Sequence, residues 1–186
     1  ATVLVGLNRW ARLGISPSRL AGLAAELGSD VAFCLEGGVA RAGGRGERLQ
    51  RLTPVPDCRV VVVQPSFALS TPLVYRAWDE RPCRVAPGCT QRMATALESG
   101  RLEEVCAALA NDLEPAAERL RPELGAARAG MRQAGCQGVL LSGSGSCLFG
   151  LLPPDTPAEP VLDGLAGLGR VVWTRFRGCR DLSQSG

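Results

Sequence analysis

A chain of 186 residues, 46% of them hydrophobic and only 4% aromatic, is long enough to bury a core as one domain or a small pair. Its net charge of +3 comes from 21 basic and 18 acidic groups mixed along the sequence; no basic block interleaved with aromatics appears, which argues against a nucleic-acid partner. No apolar stretch approaches the roughly 20 residues of a membrane span, and the sequence has neither histidine nor lysine, which excludes histidine-dependent triads, mixed-ligand zinc sites and lysine Schiff bases from this stretch.

The first residues, Ala1-Thr2-Val3-Leu4-Val5-Gly6-Leu7-Asn8, lack the basic segment of a signal peptide, so a cytoplasmic location is expected. They are helix-compatible to about Trp10 but begin without a cap, as if the helix started upstream. Ser16-Pro17 reads as an N-cap followed by proline at the first helical position. Leu20, Leu23, Ala24 and Leu27 then give an apolar stripe that Gly28 closes. After Asp30-Val31-Ala32-Phe33-Cys34-Leu35, glycine pairs and clusters at Gly37-Gly38 and Gly43-Gly44-Arg45-Gly46 bracket Val39-Ala40-Arg41, which predicts hairpin strands with permissive turns.

Arg59-Val60-Val61-Val62-Val63-Gln64 is the clearest strand, ended by Pro65. A helix starts near Pro72. From Gly88 to Gly135 the pattern is helical. Gly100, Gly125, Gly135, Pro115 and Pro122 divide it into short helices, with Leu97, Leu102, Val105, Leu109, Leu113 and Leu120 spaced for a buried face. Strands about 138–142 and 146–151 follow, then a helix over 160–168 and a last strand over 169–176. Strand, helices, strand, strand, helix, strand is the split-βαβ order of a ferredoxin-like sandwich. The fold class is therefore α+β, with a domain boundary expected near residues 52–58.

Catalysis on this chain must use carboxylates or borrowed groups. Asp30, following Gly28-Ser29, either holds a carboxylate near a cleft or simply caps a helical turn. Thr71 lies just after the valine strand, and Tyr75, four residues later on the face of the helix starting near Pro72, reads first as a partly buried helix residue. Asn111-Asp112-Leu113-Glu114-Pro115 reads as an interhelical cap and turn. The run Ser142-Gly143-Ser144-Gly145-Ser146 is either a tight strand connection or a loop whose backbone a ligand approaches closely, and it lacks the lysine of a P-loop. Eight cysteines, at positions 34, 58, 83, 89, 106, 136, 147 and 179, form no C-x-x-C pair and read as reduced thiols.

These segments occur in a shared order. Gly28-Ser29-Asp30-Val31, Gly37-Gly38, Gly44-Arg45-Gly46-Glu47, Ser70-Thr71-x-x-Val74-Tyr75, Asn111-Asp112-Leu113-Glu114 and Leu141-Ser142-Gly143-Ser144-Gly145-Ser146 together resemble the 4-diphosphocytidyl-2-C-methyl-D-erythritol kinases, a branch of the GHMP kinases. The resemblance covers almost the whole chain. It implies a GHMP kinase fold: residues 1–55 as the remainder of an N-terminal, S5-like, ATP-binding domain, and 56–186 as the C-terminal, ferredoxin-like α/β sandwich. The activity implied is ATP-dependent phosphorylation of the 2-hydroxyl of a cytidyl diphosphate methylerythritol, in non-mevalonate isoprenoid synthesis.

Residue by residue, the resemblance makes Asp30 the catalytic aspartate. It places Thr71 near the cytidine, Tyr75 against the cytosine ring, and Ser142, Gly143, Ser144, Gly145 and Ser146 beside the phosphates. ATP is the implied phosphoryl donor, with Mg2+ expected alongside it and no metal ligand assigned on the chain; the implied partner is this small molecule, not nucleic acid or a membrane. Members of the branch also carry an upstream half with a substrate-binding lysine and a glycine-rich phosphate loop. The chain is thus expected to begin inside the helix after that loop and to be inactive alone. Two alternatives stand beside this expectation: a GHMP kinase for another small molecule, such as a mevalonate derivative or homoserine, and a non-catalytic, kinase-derived binding module.

Overall fold

A computed structural model of the chain describes residues 1–44, 46, 48–84 and 88–176, with the backbone alone at Ser29. Arg45, Glu47 and Cys179, named above, lie outside the described residues. The described residues fall into two compact units, Ala1–Pro54 and Val55–Phe176.

The first unit holds α1 (Thr2–Trp10), α2 (Pro17–Leu27), α3 (Ser29–Glu36) and a hairpin of β1 (Ala40–Gly43) and β2 (Arg48–Arg51). The predicted start of α2 is present: the Ser16 hydroxyl accepts the Arg19 amide at 3.3 Å, and Pro17 opens the helix, where its missing N–H costs nothing. Leu20 and Ala24 are buried as the stripe required. Leu27, at the last turn, is 68% exposed instead. Asp30 and the apolar residues after it form α3; Gly28 is its N-cap and no side chain caps it, so Asp30 stands in the first turn rather than capping it. In the hairpin, Ala40 stands opposite Arg51 and Gly43 opposite Arg48, in antiparallel register.

The second unit begins with β3 (Arg59–Gln64), followed by α4 (Thr71–Glu80), α5 (Cys89–Ser99), α6 (Leu102–Ala108), α7 (Glu114–Leu120) and α8 (Glu123–Gln133). It ends with β4 (Gly138–Leu141), β5 (Leu148–Leu152), α9 (Ala158–Gly164) and β6 (Arg170–Arg175). The sheet runs β4-β5-β3-β6 with every neighbour antiparallel, so the first strand of the unit is central, as in the predicted ferredoxin-like arrangement. Alternation along β3 sends Val61 and Val63 to one face, where they join Leu141, Leu148 and Leu152 of the sheet with Ala117 of α7, Leu124 and Met131 of α8, Val74 of α4 and Val161 of α9. Val60 and Leu151, directly opposite one another, are buried outside that cluster.

Two expected features of the helical stretch differ. Gly125 does not divide helices but lies inside α8, because Pro122 already caps that helix and a single glycine costs only about 1 kcal/mol. Leu120, expected on the buried face, is 39% exposed; α7 is only two turns long and packs through Ala116 and Ala117. Close approach explains a glycine in the sheet. A Cβ at Gly138 would stand 2.8 Å from both Cys106 Sγ and Leu109 Cδ1, so α6 can press directly on β4. The seven described cysteines are free thiols, in line with the reduced reading.

Candidate active site

The small-residue loop is a tight strand connection that is also fastened from three sides. Leu141 and Leu148 pair across β4 and β5, and the Ser142 amide donates to the Cys147 carbonyl at 2.9 Å, extending the ladder by one step. The Gly145 amide donates to the Ser142 carbonyl at 2.9 Å, closing a turn. Gly143 and Gly145 have φ values of +59° and +87°, which a side chain would make costly. At Gly145 a Cβ would also stand 2.9 Å from Leu141 Cδ1 and 3.2 Å from Leu69 Cδ1.

Hydroxyls fasten the loop to the segment leading into α4. Ser146 is buried, and its hydroxyl donates to the Phe67 carbonyl at 2.8 Å. The hydroxyls of Ser144 and Thr71 lie 2.8 Å apart. Thr71 is the first residue of α4, and Pro72 follows it where the helix needs no amide donor. Tyr75, four residues on, occupies the same helix face one turn later and is 52% exposed. Thr71 is therefore brought against the predicted phosphate-side loop, and Tyr75 follows it one turn further along α4. Phe67 carries the Arg121 guanidinium 5.2 Å above its ring.

The third fastening was not legible as such. Asn111 does make the predicted turn, its Oδ1 accepting the Leu113 amide at 2.9 Å. Its Nδ2, however, donates to the carbonyls of Leu141 and Gly143 at 2.9 and 2.8 Å. Glu114 Oε1 accepts the Leu141 amide at 3.0 Å, and its Oε2 accepts from Arg128 Nη1 at 2.8 Å. Arg128 Nη2 reaches Glu118 at the same distance. The only sequence sign was the presence of an amide and a carboxylate in one short turn; their partners lie about thirty positions ahead.

Asp30 belongs to the first unit. It is exposed in the first turn of α3, where the positive end of the helix dipole favours a carboxylate. Among the described residues no group of three or more acidic or cysteine side chains is placed to hold a metal ion, and no helix is long and apolar enough to cross a membrane. Chemically, the loop and Thr71 offer hydroxyls and backbone amides, groups that bind and orient a polar or anionic ligand rather than carry a charge of their own.

Residues 93–170 match the family model described as GHMP kinases C terminal. The chain's fold is that of the GHMP kinases. Within them it is similar to the 4-diphosphocytidyl-2-C-methyl-D-erythritol kinase of Bacillus pumilus, 38% identical over 90% of this chain and 57% of that protein. It is likewise similar to that of Moorella thermoacetica, 41% identical over 89% of this chain and 59% of the relative. Among solved structures, a 4-(cytidine 5'-diphospho)-2C-methyl-D-erythritol kinase superposes with a TM-score of 0.71 at 37% identity, over 94% of this chain and 62% of that one. The chain thus spans somewhat over half the length of these relatives.

Proposed function

We propose that this chain is part of an enzyme that transfers the terminal phosphoryl group of ATP to the 2-hydroxyl of 4-diphosphocytidyl-2-C-methyl-D-erythritol. One observation carries the choice of substrate: the chain is 37–41% identical, over about nine-tenths of its length, to kinases named for it. The fastened loop supports the reading, because it joins the segment assigned to the phosphates to the helix assigned to the cytidine through the Ser144–Thr71 contact.

In this reading residues 1–55 complete the ATP-binding domain and 56–186 form the C-terminal domain. The Asp30 carboxylate accepts a hydrogen bond from the 2-hydroxyl, holds its oxygen in line with the terminal phosphorus and takes the proton as the new P–O bond forms and ADP leaves. Tyr75 stacks on the cytosine, Thr71 orients the nucleoside end, and residues 142–146 line the phosphates. Mg2+ is expected together with ATP, where it would offset charge on the phosphates. The reaction is cytoplasmic, where both small-molecule substrates are at hand.

The test is an assay of ADP release by the chain extended to the full length of its relatives. With the cytidyl substrate, ATP is consumed; with mevalonate or homoserine, it is not. Turnover of either of those in place of the cytidyl substrate would reassign the enzyme within the GHMP kinases.

A further inference from the structure

Among the described residues the sheet order β4-β5-β3-β6 makes β4 an edge strand, and a residue on its outer side has an amide and a carbonyl with no strand to pair with. Leu141, the last residue of β4, has both groups occupied by side chains. Its amide donates to Glu114 Oε1 at 3.0 Å and its carbonyl accepts from Asn111 Nδ2 at 2.9 Å. One acceptor and one donor from the connection between α6 and α7 thus stand where a neighbouring strand would place its own carbonyl and amide.

The same Asn111 nitrogen goes on to the Gly143 carbonyl at 2.8 Å, inside the loop and one residue before Ser144. Its orientation is fixed by chemistry: the Leu113 amide needs an acceptor and the two carbonyls need donors, so only one setting of the amide satisfies all three. Glu114 is held in turn by Arg128, which also holds Glu118, so the strut is anchored in α7 and α8. Gly143, with no Cβ, takes its φ of +59° freely, so its own backbone does not fix the loop's place and the outside contact can.

We propose that Asn111 is a positioning residue of this kinase: acting through the Gly143 carbonyl, it sets the loop on which Ser144 meets Thr71 and so the alignment of the phosphoryl group. The inference rests on the kinase reading above. Neither leucine nor aspartate can replace it. Leucine offers no donor, and an aspartate carboxylate, though the same shape, would set an anionic oxygen against two carbonyl oxygens.

Two measurements are made on the chain extended to the full length of its relatives. In steady-state kinetics, Asn111→Asp lowers kcat about 10²-fold, the loss that follows a small misplacement of reacting groups, while KM for the cytidyl substrate and for ATP stays within about threefold. In amide hydrogen exchange, residues 142–146 exchange at least about tenfold faster and β3 is unchanged, because the loop opens locally without global unfolding. Asn111→Ser, which keeps an acceptor for Leu113 but cannot reach Gly143, gives the same pattern and serves where the aspartate variant does not fold. Unchanged kcat, with or without faster exchange, overturns the proposal, as does a fall in kcat with the loop's exchange unaltered. If the unsubstituted protein phosphorylates none of the three substrates, the kinase reading falls, and the exchange comparison alone decides whether Asn111 sets the loop.

Discussion

The hydroxyls of Thr71 and Ser144, 73 positions apart in the chain, meet at 2.8 Å where α4 begins. Neither has a charge, so the contact is an ordinary hydrogen bond, and in the proposed reading it holds two ligand-facing segments at a fixed separation. In a double-mutant cycle on kcat/KM, Thr71→Val and Ser144→Ala are each expected to cost about 1 kcal/mol, with a coupling of about 0.5–1 kcal/mol between them. Strict additivity would mean that the two hydroxyls act independently.

Tyr75 is exposed although aromatic, on the helix face that begins with Thr71. Stacking on a base is worth about 1–3 kcal/mol, so Tyr75→Ala is expected to raise KM for the cytidyl substrate by roughly 5- to 150-fold with a small change in kcat. Tyr75→Phe keeps the ring and most of the affinity. An unaltered KM in the alanine variant would leave Tyr75 as a surface residue without a ligand.

The two loop glycines are expected to respond differently to alanine. Gly143 faces open space, so Gly143→Ala meets only the backbone penalty of about 1–2 kcal/mol for a positive φ. Gly145→Ala adds contact with Leu141 and Leu69 to a φ of +87° and is expected to cost more, about 2–3 kcal/mol. Urea unfolding of the two variants measures the difference, and equal losses would show that the leucines give way freely.

Burial pushes the Cys106 and Cys136 thiols up to about 11, with the neighbouring thiols adding a smaller push. A thiol whose folded value is raised keeps its full contribution to stability below the unfolded value near 9 and loses it as pH climbs toward 11. The protein is therefore expected to weaken progressively in urea between about pH 9 and 11. At neutral pH, an alkylating reagent should modify the exposed Cys34 and Cys83 well before Cys106 and Cys136. Rapid alkylation of Cys136 in the folded protein would contradict its burial.

What the sequence disclosed and what it hid divide along physical lines. The bounds of β3 were readable because Val60 to Val63 form an uninterrupted β-branched run, and the start of α2 because Ser16 and Pro17 act on their immediate neighbours. The order of strands followed from such local signals and sufficed for the sandwich. Burial at helix ends was less readable: Leu27 and Leu120 fit the apolar spacing, yet periodicity says nothing of whether a partner reaches the last turn. The strut of Asn111, Glu114 and Arg128 was hidden for a different reason. Its meaning lies in an unpaired strand edge, and only the assembled sheet shows that β4 has one. For Asp30, the local pattern allowed either a carboxylate near a cleft or a cap; it stands in the first turn of α3 without capping it, and its assignment as the catalytic aspartate came from the family resemblance.

The most direct test of the kinase account is turnover of the cytidyl substrate by the chain extended to its relatives' length, with and without Asp30→Asn. A general base or an in-line anchor contributes on the order of 10²–10⁴-fold, so the variant should lose that much in kcat while KM scarcely moves. Equal kcat in the two proteins would take Asp30 out of the reaction and contradict the account.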